Sequence, residues 1–251
     1  QPAVIPINSG AMTDPRERLI VALDVSSAAA ARKIVAAVGD SAQTYKVGMQ
    51  LYTAEGPTLV RELVDSGRQV FLDLKYHDIP NTVGAAVRQA AQLGVSMLTV
   101  HACGGVPMLR AAADAANAHP KAPLVLAVTV LTSLDEPTLH AVGVEGKVVD
   151  QVLRLASLAV SSGCRGVVAS AHEARALRKS LGQDFAIVTP GVRPAGSGHD
   201  DQARVVTPAE AVAAGATYIV VGRPISEAPD PAAQARAILR QLDSRPFAVG
   251  T

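Results

Sequence analysis

Short apolar runs recur along the chain at near-even spacing: 19–24, 44–47, 70–74, 97–101, 124–130, 166–169, 186–189 and 218–221. Each is rich in Val, Ile and Leu with little alternation, as in parallel strands covered on both faces rather than strands with one wet side. Between them lie longer, alanine-rich stretches in which apolar residues return every three or four positions, as on the inner face of a helix. The helical patterns stop near Gly39, Gly67, Gly94, Pro120, Gly163, Gly182 and Gly215, where glycine can adopt the left-handed turn that closes a helix. Ser26 or Ser27, the capping-box form Thr207-Pro208-Ala209-Glu210, and Asp230 before Pro231 mark helix starts. Eight strand–helix units in about 230 residues match an α/β fold of the (β/α)8 TIM-barrel type, in count and in length. An open doubly wound sheet is the rival, but the even spacing and the lack of a GxGxxG after the first run count against it. No linker-like run of Pro, Gly and Ser divides the chain. Residues 14–251 are therefore expected to form one catalytic barrel domain. Residues 1–13 are expected to be an N-terminal tail, with Met12 the natural start and the residues before it vector-derived.

The run at 70–74 breaks the pattern, because it leads into Asp73, Lys75 and Asp78. Side chains two apart on a strand share a face, so Phe71, Asp73 and Lys75 are expected to point one way and Leu72 and Leu74 the other. Asp78 falls just before Pro80 and a helical pattern, in a strand-to-helix loop. Burying such charges costs several kcal/mol per ion (order of magnitude) unless they neutralise one another. In a barrel the functional residues lie at the carboxyl ends of the strands. There the first run ends in Asp24, the second supplies Lys46 and the third Asp73 and Lys75, with Asp78 beyond. Acids and bases from three neighbouring strands are thus expected at one mouth. His77 and His101 have no partner at metal-ligand spacing and read as packing or hydrogen-bonding residues.

On the far side of the barrel, the stretch from Thr189-Pro190-Gly191-Val192-Arg193 through Gln202 shows no helical pattern until Thr207. A structureless loop longer than about 12 residues is usually a lid or binding loop. The last strand ends in Val221-Gly222-Arg223, with glycine permitting close backbone approach and arginine offering a fork of donors. Barrels of this kind commonly hold phosphate in these last two loops. A phosphate anchor facing a Lys/Asp array, with no evident site for a metal, flavin or nicotinamide, suits cofactor-free stabilisation and protonation of a carbanion.

Composition narrows the partners. The formal charge is +1, 49% of residues are apolar and only 3% aromatic, so nucleic-acid binding has little support. Cys103 and Cys164 stand far apart with no ligand spacing, as expected of reduced packing thiols in a cytoplasmic protein. No apolar run reaches the roughly 18 to 20 residues of a membrane span. Residues 1–11 do not resemble a signal peptide.

The segment Asp73-Leu74-Lys75-Tyr76-His77-Asp78-Ile79-Pro80-Asn81-Thr82 is highly specific. Together with Leu23-Asp24, Tyr45-Lys46-Val47-Gly48, Leu131-Thr132-Ser133, Thr189-Pro190-Gly191-Val192-Arg193 and Val220-Val221-Gly222-Arg223, it resembles the orotidine 5′-phosphate decarboxylase family of the bacterial type. The resemblance runs from residue 19 to about 242, with no departure at a matching position. It implies cofactor-independent decarboxylation of orotidine 5′-phosphate to uridine 5′-phosphate, with Lys75 protonating carbon 6 of the pyrimidine. By the same resemblance, Asp73 lies beside the departing carboxylate, and Lys46 and Asp78 complete the array. Asp24 and Lys46 bind ribose, Thr132 the pyrimidine, and Arg193, Gln202, Gly222 and Arg223 the phosphate end. The resemblance further implies a homodimer in which Asp78, Ile79 and Thr82 complete the partner's site. The charge developing at carbon 6 would be stabilised by a nearby ammonium more in the transition state than in the ground state. The rivals are a Mg²⁺-dependent sugar-phosphate decarboxylase or synthase of the same superfamily, which has an acid where this chain has Lys46, a Schiff-base aldolase using Lys75, and a non-catalytic nucleotide-binding barrel.

Overall fold

The apolar runs fold as parallel strands: β1 (Leu19–Ala22), β2 (Thr44–Gly48), β3 (Gln69–Tyr76), β4 (Met97–His101), β5 (Leu124–Val128), β6 (Gly166–Val168), β7 (Ala186–Thr189) and β8 (Tyr218–Val221). Each pairs with the next in chain order, and β8 pairs with β1 to close the barrel. The computed structural model describes residues 14–194 and 206–243. Around the barrel run α1 (Ala28–Val38), α2 (Met49–Asp65), α3 (Pro80–Gln92), α4 (Gly105–Asn117), α5 (Glu136–Ala141), α6 (Val148–Ser161), α7 (Ala171–Leu181), α8 (Pro208–Ala214), α9 (Arg223–Ser226) and α10 (Pro231–Asp243).

The absence of alternation in the strands follows from two cores. Leu19 and Val21, Leu72, Leu98 and Ile187 belong to the core shared with the helices. Ile20, Phe71, Met97, Leu126, Val188 and Tyr218 belong to the barrel interior. Both faces are therefore buried, and each fully buried Leu, Ile or Phe contributes about 1.5–3 kcal/mol. Ascending the inner face, the chemistry changes: on β3 Phe71 gives way to Asp73, and on β4 Met97 gives way to Thr99.

The helix-start signals operate as expected. The Ser27 hydroxyl accepts the Ala30 amide, Asp230 accepts the Ala233 amide, and Thr207 and Glu210 form a reciprocal capping box. Gly215 closes α8 at φ +113°, and a Cβ there would lie 2.7 Å from the Arg178 side chain, so both conformation and space require glycine.

Some boundaries differ from the sequence expectation. β3 is longer, because pairing continues around its charged stretch, Asp73 with Gly48 on β2 and Tyr76 with Val100 on β4. The run at 19–24 is strand only to Ala22 and that at 124–130 only to Val128, although Leu23 and Val130 remain buried. The loop after β5 contains α5, opened by Asp135 accepting the Thr138 amide; six residues are too few to show a helical period. Among the described residues no helix is long and apolar enough to cross a membrane. Both cysteines are unpaired. Cys164 is buried, which pushes its thiol up to about 12, whereas Cys103 is exposed and does not fill the packing role expected of it.

Candidate active site

At the carboxyl ends of the strands opens a cavity of ≈ 490 Å³, floored by Phe71, Val128, Val188 and Val220. Asp24, Lys46, Asp73 and Lys75 form one wall, and Thr132, Arg193, Gly222 and Arg223 also line it. This is where the sequence placed the two halves of a site.

Asp73 is the shared anion of the wall. Its Oδ1 accepts from the Lys75 ammonium at 2.9 Å, and its Oδ2 stands 3.8 Å from the Lys46 ammonium. Lys46 also donates to Asp24 Oδ1 at 2.8 Å. The Asp73 and Lys46 side chains are 13% and 12% exposed, whereas Asp24 is 59% exposed and tied to solvent. Two unit charges 4 Å apart attract by about 4 kcal/mol at an effective dielectric of about 20. Desolvation costs several kcal/mol per ion (order of magnitude), so the array is near break-even for folding and points to chemistry instead. Gly48 helps to make room, since a Cβ there would sit 3.2 Å from the Lys46 ammonium.

Asp78 does not join this wall within its own chain. It is exposed, and its Oδ1 accepts the next amide, that of Ile79, at 2.6 Å. Ile79 is 65% exposed and Thr82 is exposed as well, and neither lines the cavity. Residues 77–79 leave the barrel before Pro80 opens α3, which turns this segment outward. The expected convergence at one mouth therefore holds for Asp24, Lys46, Asp73 and Lys75, but not for Asp78 in the same chain.

The part of the lining around Arg193 is built by loop anchoring. Arg193 is 5% exposed; its amide donates to the Val206 carbonyl at 2.9 Å, and Val192 bridges Val206 in parallel. The two ends of the long loop are thereby clamped beside the cavity. Gln202 lies outside the described residues. A Cβ on Gly222 would make only ordinary contacts with Ala22 and Asp24, so the space this glycine leaves is cavity rather than chain packing.

The rings of His77 and His101 lie tilted at 44° with 5.5 Å between centroids, and His77 Nε2 lies 4.0 Å from Cys103 Sγ. Burial, then the neighbouring His77 and Lys75, hold the His101 imidazole below its ordinary range. Among the described residues no group of three or more His, Cys, Asp or Glu could hold a metal ion. Sequence reasoning missed Thr99, whose hydroxyl donates to Asp73 Oδ1 at 2.9 Å. The available signal was its place between Met97 and His101, polar on the inner face of an apolar run.

A family model described as "Orotidine 5'-phosphate decarboxylase / HUMPS family" matches residues 17–238. The chain is 53% identical over 234 residues to an orotidine 5′-phosphate decarboxylase of Moorella thermoacetica, covering 91% of this chain and 93% of that one. It is 55% identical over 228 residues to that of Anaeromyxobacter dehalogenans, covering 91% and 99%. The crystal structure of orotidine 5′-phosphate decarboxylase from Lactobacillus acidophilus superposes with a TM-score of 0.82 at 39% identity, covering 90% of this chain and 99% of that chain.

Proposed function

The chain belongs to the orotidine 5′-phosphate decarboxylase family, and on that premise we propose that the Lys46–Asp73–Lys75 wall carries out the reaction. That reaction is decarboxylation of orotidine 5′-phosphate to uridine 5′-phosphate in pyrimidine biosynthesis. The bond from carbon 6 to the carboxylate breaks, the electron pair stays on carbon 6, and a proton from the Lys75 ammonium replaces the departing carbon dioxide. The observation that carries this reading is the Lys75 ammonium held 2.9 Å from Asp73 in the cavity wall. An ammonium fixed in a largely desolvated site stabilises developing negative charge without reorganising during the reaction.

The remaining roles within one chain follow the family resemblance, and the place of these residues in the cavity lining supports all but that of Gln202. Asp24 and Lys46, joined at 2.8 Å, take the ribose, and Thr132 the pyrimidine. Arg193, Gly222 and Arg223, with Gln202, take the phosphate, where an arginine fork matches the anion's oxygens. The exposed Asp78, Ile79 and Thr82 belong to the site of a second copy in a homodimer. The largely exposed Ile79 supports this, since an apolar side chain in water gains by being covered. The unpaired Cys103 and Cys164 fit a reducing cytoplasm. Against the Mg²⁺-dependent sugar-phosphate enzymes of the superfamily stands Lys46, a cation where those have an acid.

The test is a spectrophotometric assay of orotidine 5′-phosphate with and without a metal chelator. Loss of substrate at the same rate in both is expected. Activity that vanishes with chelator, or no loss at all, would favour the sugar-phosphate reading or a non-catalytic binder.

A further inference from the structure

The pairing of β3 with β4 slips beside the charged wall. Leu72 faces Leu98 but Tyr76 faces Val100, so β3 advances by four residues where β4 advances by two. Asp73, Leu74 and Lys75 therefore form a bulge on the β4 side. Within it Lys75 has φ +52°, the only non-glycine value in the left-handed region among the described residues. That conformation costs an L-residue roughly 1–2 kcal/mol, and bulges often re-aim a side chain next to an active site. Something must hold the backbone there.

Thr99 on β4 is fully buried against this bulge. Its hydroxyl accepts the Lys75 amide at 2.9 Å and donates to Asp73 Oδ1 at 2.9 Å. The Lys75 ammonium reaches the same Oδ1 at 2.9 Å. The order of donors is fixed, because an ionised carboxylate only accepts and an amide only donates. We propose that Thr99 is a positioning residue of the reaction: its one hydroxyl replaces the missing ladder bond of Lys75 and sets Asp73 and Lys75 in register with each other. This rests on the reading of Lys75 as proton donor. A serine can do the same work, whereas valine or alanine cannot.

The experiment compares Thr99→Ser, Thr99→Val and Thr99→Ala, the last in case valine crowds the bulge. Two readouts are used: turnover of orotidine 5′-phosphate alongside the Kd for uridine 5′-phosphate, and hydrogen exchange at the Lys75 amide. Val and Ala are expected to lower kcat by about 10- to 100-fold, with the Kd for uridine 5′-phosphate within about twofold of the unmutated protein. Ser is expected to restore kcat to within about threefold. The Lys75 amide should exchange slowly in the unmutated and Ser proteins and at least about tenfold faster in Val and Ala. Unchanged kcat and exchange in Val and Ala would overturn the proposal, as would a parallel loss of kcat and nucleotide binding that Ser fails to rescue. An unmutated protein without decarboxylase activity would refute the functional reading, while the exchange measurement would still decide whether Thr99 holds the bulge.

Discussion

Two half-buried cationic stations sit at opposite ends of the barrel. At the amino-terminal end, Arg178 of α7 donates to the carbonyls of Gly215 and Phe185 and to the Thr217 hydroxyl at 2.8–3.0 Å, and its guanidinium lies 4.8 Å from the centre of the Phe185 ring. Burial pulls its pKa down to about 10. Its partners are neutral, and they tie α7 to the chain entering β7 and β8. At the carboxyl-terminal end, Lys46 and Lys75 share Asp73 and face a cavity. A perturbed, half-buried cation therefore does not by itself mark a site. What separates the two is that the lysines are paired with an acid on a cavity wall, while the arginine staples strand entrances.

Mutation can break this contrast in both directions. Lys75→Ala should lower kcat by at least about 10³-fold while the fold survives, because Asp73 keeps Lys46 as a cation when Lys75 is removed. A variant retaining activity within tenfold would remove Lys75 as proton donor. Arg178→Ala should do the reverse: it strands the buried partners and should cost about 2–4 kcal/mol of stability in urea titration, with kcat per folded molecule retained. A large loss of kcat in folded Arg178→Ala would mean that the two ends are coupled. Arg223→Ala should weaken uridine 5′-phosphate by about 10- to 100-fold while leaving uridine unchanged in a calorimetric comparison. An equal effect on both ligands would remove Arg223 from the phosphate end.

How much was legible in the sequence depended on what kind of signal each residue leaves. The eight strands were visible because burial on two faces writes a continuous apolar run. The upper half of β3 was not, because Lys75 and Tyr76 interrupt the run and yet remain in the barrel. Asp24, Lys46, Asp73 and Lys75 were found as charges where apolar residues belong. Thr99 escaped because a neutral hydroxyl in a strand is ordinary until its partners are known. Asp78, three positions from Lys75 in sequence, was expected at the same mouth. The turn before Pro80 points it away, and no local pattern reports that turn. Gln202 and the rest of residues 195–205 lie outside the described residues.

Whether the outward-turned Asp78 and the inward-facing Lys75 work in one shared site can be measured by mixing two inactive variants. In a heterodimer of Lys75→Ala with Asp78→Ala, one site carries both lesions and the other carries neither. Each variant alone should be nearly inactive, and an equimolar mixture, after subunit exchange, should recover roughly one quarter of the unmutated activity by statistical pairing. A mixture no more active than its parents, although heterodimers form, would contradict the account.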